Sequence, residues 1–66
     1  MYTAIETTIT TAGRLAAVAN ALESVCYRVM RAGELSDAYR AVISCHLAEI
    51  ASLAKQLGVT AEEINQ

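Results

Sequence analysis

From Leu15 onward the apolar positions Leu15, Val18, Leu22, Val25 and Val29 recur at spacings of three, four, three and four. That is the rhythm of a helix laid along a partner helix. Cys26 joins this face, with Ala12 and Ala19 beside it, and Asn20, Glu23, Ser24, Tyr27, Arg28 and Arg31 take the other. The spacing predicts a first helix over residues 12–31. Arg28 and Arg31 fall in its last turn, where cations offset the negative helix end. Gly33 can take the left-handed conformation that closes a helix. Gly13 marks a kink or a close helix contact inside the pattern.

Residues 32–36 read as a turn. Ser36 is a favourable N-cap, and Asp37 follows in the first turn, where a carboxylate is favoured. A connection this short makes the flanking helices antiparallel neighbours. The second helix is predicted over residues 37–57, with Ile43, Leu47, Ile50, Ala54 and Leu57 as its main stripe. Val42 and Leu53 widen that stripe, and Ala41, Cys45, Ala48 and Ser52 form a second, small-residue face. Gly58 is expected to stop the helix, with Val59 folding back on Leu53 or Ala54. Thr60 and Glu63 have the spacing of a capping box, and Val59 with Ile64 that of a hydrophobic staple. A short last helical turn over residues 61–65 should follow.

Residues 1–11 carry two patterns. Thr3 and Glu6 fit a capping box that would start a helix at Ala4. Ile5, Thr7, Ile9 and Thr11 alternate and are β-branched, as in a strand. Because Ile5, Ile9, Ala12 and Ala16 continue a helical stripe, helix is the favoured reading of this extension.

The chain has 66 residues, over half of them apolar, with no Phe, Trp or Pro. Its alanine-rich, proline-free composition favours helix. One domain is the most this length allows, and a core this small is marginal without disulfides, a metal or a partner subunit. Two cysteines make no disulfide framework, and no Cys/His spacing fits zinc. Oligomerisation is the remaining route. The formal charge of −2 disfavours nonspecific nucleic-acid binding, which rests on Lys/Arg contacts to phosphate. No apolar run is long enough to span a membrane, and no basic segment precedes an apolar block as in a signal peptide. A cytoplasmic protein with reduced Cys26 and Cys45 is the expectation.

Candidate chemistry is sparse. No nucleophile, base and orienting group stand together, so no enzyme, cofactor or metal is expected. His46 shares a face with Glu49, but two ligands make no site, and Cys45 points about 100° away; His46 reads as a flanking polar residue. Cys26 and Cys45 fall about one turn out of register across the hairpin, too far for a disulfide, and read as small buried packing residues. The segment from Leu53 to Ile64 resembles a helix-turn-helix core with Gly58 in the turn. Glu62 and Glu63, however, stand where DNA readers carry Arg, Lys, Gln or Asn, and a capped helix end explains the same residues. The surface side chains Tyr27, Arg28, Met30, Arg31, Tyr39 and Arg40 gather at the turn end, with Tyr2 at the other; Tyr and Arg are enriched at binding hot spots.

These features predict an all-α, antiparallel helical hairpin with a short C-terminal helical turn. Its seam is Leu15, Val18, Leu22, Val25, Val29, Ile43, Leu47, Ile50 and Leu57, and the hairpin is expected to homodimerise into a four-helix bundle. The plan is similar to that of the plasmid copy-number RNA-binding hairpin, although the few basic residues speak against RNA. The stretches Leu15-Ala16-Ala17-Val18-Ala19-Asn20-Ala21-Leu22 and His46-Leu47-Ala48-Glu49-Ile50-Ala51-Ser52-Leu53 resemble a group of very small helical-hairpin proteins from Pseudomonas and its temperate phages. That group includes the quorum-sensing anti-activator type. The resemblance spans Leu15 to Leu57. It implies a dimeric, phage-encoded inhibitor or adaptor that binds a host protein such as a transcription activator. The rival expectation is a small DNA-binding regulator using Leu53–Ile64.

Overall fold

Alanine-rich sequence free of proline lets both halves of the chain run as uninterrupted helix. The computed structural model describes residues 2–65, with side chains from Thr3 onward. Helix α1 spans Tyr2–Ala32 and helix α2 spans Asp37–Asn65. The two pack as an antiparallel hairpin 48 Å long and 14 by 12 Å across. The fold is the all-α helical hairpin expected.

The turn is built by two local devices. Gly33 has φ of +75°, and its N–H donates to the Val29 carbonyl at 3.0 Å, closing α1 by a left-handed cap. Ser36 then caps α2: its Oγ accepts the Tyr39 N–H at 3.2 Å, and its carbonyl accepts the Arg40 N–H at 2.9 Å. Both ends are therefore satisfied within five residues, which leaves the helices no room except alongside each other.

Apart from Thr7 and the cap Ser36, the partly or fully covered side chains follow one rule along the whole length. In α1 they include Ala4, Thr8, Thr11, Leu15, Val18, Leu22, Val25 and Val29. In α2 they include Tyr39, Ile43, His46, Ile50, Leu53, Leu57, Thr60 and Ile64. Each set advances by four and three in strict alternation. A seven-residue repeat of this kind belongs to a left-handed supercoiled pair. Counting outward from the turn sets Val29 level with Tyr39, Leu22 with His46, Val18 with Ile50 and Leu15 with Leu53. Beyond these, Thr11 is level with Leu57, Thr8 with Thr60 and Ala4 with Ile64.

Five expectations need correction. First, residues 2–11 are helical, the reading their apolar stripe favoured, but α1 begins before Thr3, so Thr3 is no N-cap. Thr8 fits a helix because it bonds back onto it: its hydroxyl donates to the Ala4 carbonyl at 2.8 Å. Second, Gly58 does not stop α2, which runs on to Asn65 with no separate last turn. The Thr60 hydroxyl donates to the carbonyls of Gln56 at 3.2 Å and Leu57 at 3.1 Å. It therefore faces backward along the helix and does not cap a new one.

Third, Leu47 is off the seam and 53% exposed, with His46 in its place. Both residues satisfy a three-or-four spacing from Ile43 and Ile50. The rotation that buries Tyr39 and Leu53 covers more apolar volume than the one that would bury Arg40 and Ala54, and it carries His46 inward. Fourth, Tyr39 is half-buried and belongs to the seam, not to the free surface. Fifth, Cys26 and Cys45 are exposed free thiols, because each lies beside or behind the seam and not in it.

Candidate functional site

A two-helix hairpin has one seam and no second layer, and the burial pattern shows the consequence. Among the described residues the only buried apolar residue is Ala4. The most covered side chains are polar: Thr11 is 3% and Thr60 6% exposed. They sit at the open end, where the seam is threonine-rich and backbones can approach closely. No buried side-chain polar atom among the described residues lacks a partner, and the Thr8 and Thr60 hydroxyls bond within their own helices. Leu15, Val18, Leu22, Val25, Val29, Ile43, Ile50 and Leu57 all occupy the seam, yet each remains only half-covered.

The structure therefore holds large apolar side chains in the open. Ile9 is 67% and Met30 76% exposed, and Ile5, Tyr27, Leu35, Val42, Leu47 and Val59 are also exposed. Of the turn-end residues picked out from the sequence, Tyr27, Arg28, Met30, Arg31 and Arg40 are all exposed, and Tyr39 is withdrawn from that group. The side chain of Tyr2 lies outside the described residues.

The exposed residues are not spread evenly. In an antiparallel pair the two helix flanks that follow the seam on its C-terminal side lie on the same side of the hairpin. On α1 those rows hold Ile5, Ile9, Ala12, Ala16, Ala19, Glu23, Cys26 and Met30. On α2 they hold Arg40, Ser44, Leu47, Ala51, Ala54, Gly58 and Ala61, with Asp37 at the turn end and Asn65 at the other. The opposite side carries Arg14, Arg28, Arg31, Glu49, Gln56 and Glu63, interspersed with Ala17, Ala21, Ala38, Cys45 and the exposed Val42 and Val59. The hairpin thus has one small-and-apolar face with fewer charges and the larger exposed apolar side chains, and a more polar side on which charged residues alternate with small and β-branched ones. Four of the exposed large apolar residues, Ile5, Ile9, Met30 and Leu47, belong to the first. The signal in the sequence was the stripe from Ile5 through Ile9, Ala12 and Ala16, which continues past Ala16 to Met30.

Among the described residues there is no pocket, and no group of three His, Cys, Asp or Glu could hold a metal ion. His46 faces the layer of Leu22, while Cys45 points to the polar side, so the two diverge as their neighbouring positions on a helix require. No helix among the described residues is long and apolar enough to cross a membrane. The segment from Leu53 to Ile64 contains no turn, so the helix-turn-helix geometry is absent: Gly58 lies within α2, and Glu62 and Glu63 continue the same helix. A continuous helix ending in carboxylates presents no separate recognition helix to a groove. Comparison with protein-family models, with curated proteins and with solved structures gives no match.

Proposed function

We propose that this protein acts by binding other proteins, as a small non-enzymatic inhibitor or adaptor, and that it works as a homodimer. The observation that carries this reading is that the hairpin buries no large apolar side chain among its described residues. Stable folds of this size need further burial, and contiguous exposed apolar surface marks interaction sites. The turn end supplies Tyr27, Arg28, Met30, Arg31 and Arg40, all exposed, as a contact patch of the residue types that anchor interfaces. The resemblance to the phage anti-activator group favours a bacterial transcription activator as the target, bound in the helix-on-surface mode.

The test is affinity capture from a Pseudomonas lysate on immobilised protein, compared with a Tyr27→Ala/Met30→Ala variant. The reading expects one transcription regulator retained in fixed stoichiometry and lost with the variant. Retention of nothing, or of the same proteins by both forms, contradicts it.

A further inference from the structure

We infer that a second copy of this chain seats on the small-and-apolar face of the hairpin, with α1 of one copy lying along α2 of the other. The twofold axis then runs parallel to the helices. This rests on the homodimer reading above and names its surface and its geometry.

The size of the face suits that occupant. At 48 Å by 14 Å between Cα atoms, it offers roughly 700 Å² in projection, close to the ~800 Å² per partner of a standard stable interface. Its shape is complementary to itself in this arrangement. Carried onto the partner at the same height, Ile9 comes beside Gly58 and Ile5 beside Ala61. Likewise Leu47 falls against Ala19, and Ala16 against Ala51. Ile9 and Ile5 thus meet small residues, the pattern that lets helix layers interdigitate, while Leu47 lies between Ala19 and Glu23 and Met30 beside Asp37 and Arg40 at the turn end. Gly58 is otherwise unexplained. It sits inside α2, where glycine is the poorest helix former but proline, and a Cβ added there meets nothing within 4 Å. The isolated hairpin does not require a glycine; a neighbour's Ile9 would.

Charge selects the direction of the axis. Away from Asp37 at the turn, this face carries two charges, Glu23 on α1 and Arg40 on α2. With the axis parallel to the helices, Glu23 of one copy and Arg40 of the other stand about 7 Å apart along the bundle. Two long side chains span that distance, and the pair forms twice. With the axis perpendicular to the helices, the same charges are separated by about 24 Å and both face alanine.

Sedimentation equilibrium of the wild type and of Gly58→Leu, Glu23→Arg, Arg40→Glu and the double reversal, with helicity followed by circular dichroism, tests this. Gly58→Leu should keep its helicity at high concentration, because leucine is the better helix former, yet weaken the dimer at least about tenfold by filling the notch. Each single reversal should weaken the dimer about fivefold to tenfold, and the double reversal should regain most of that. A dimer undisturbed by Gly58→Leu overturns this face while leaving the homodimer reading standing. Single reversals without effect, or a double reversal no tighter than either single, overturn the axis. A monomeric wild type overturns both.

Discussion

The hydroxyl of Thr60 donates back across Gly58 to the carbonyl of Gln56 at 3.2 Å, within a helix α2 that runs unbroken. An N-capping threonine would instead accept from backbone N–H groups ahead of it. Because both carbonyls it touches keep their places in the helix, the hydroxyl is dispensable. Thr60→Val should leave stability unchanged or raise it by up to about 1 kcal/mol, as expected for an apolar residue of the same shape. A capping role would give a loss of about 1 kcal/mol instead. Urea denaturation of the two proteins decides between these signs.

The turn depends on Gly33 and Ser36 for separate reasons. Ser36→Ala removes the acceptor for the Tyr39 N–H and should cost about 1 kcal/mol. Gly33→Ala has open space around its added Cβ but keeps φ at +75°, so backbone strain alone should cost about 1 kcal/mol. Thermal melts of both variants check this, and a Gly33→Ala protein as stable as wild type would mean that α1 ends in some other conformation.

Leu22 and Leu47 separate the seam from the free face. Leu22→Asp replaces an apolar seam side chain with a carboxylate and should unfold the chain. Leu47→Asp lies at a position 53% exposed and should remain helical at high concentration while lowering self-association, so that its helix is lost at less dilution than in the wild type. Circular dichroism over a dilution series distinguishes the two, and equal loss of helix in both variants would place Leu47 back in the seam.

His46 is the one ionisable side chain in an otherwise apolar stretch of seam between Ile43 and Ile50. His46→Leu restores a purely apolar layer beside Leu22 and should raise stability by about 1 kcal/mol. A destabilised His46→Leu protein would show that the imidazole makes a contact the seam needs.

The fold was legible because Leu15 to Val29 carry their repeat in apolar residues that nothing else explains, and because Gly33 and Ser36 are unambiguous turn chemistry. The ends were less so. Thr8, Thr11 and Thr60 occupy seam positions with polar side chains, so a search for apolar repeats passes over them. Following the alternation of four and three regardless of residue type would have found them, together with Tyr39 and His46. The phase of α2 was hidden for a different reason. Leu47 and Ala54 on one side and His46 and Leu53 on the other form equally regular stripes, and only the volume of Tyr39 and Leu53 packed against α1 decides between them. The apolar outer face was half-legible, from Ile5 to Ala16. Its continuation through Met30 and onto α2 emerges only when the two helices are set side by side.

The mass of the wild-type protein in solution tests the account most directly. Sedimentation equilibrium over a wide dilution series should give twice the 7.0 kDa chain mass, with helix content falling as dilution separates the copies. A species of 7.0 kDa that stays fully helical across the series would contradict the account, because the hairpin would then need no other protein to cover it.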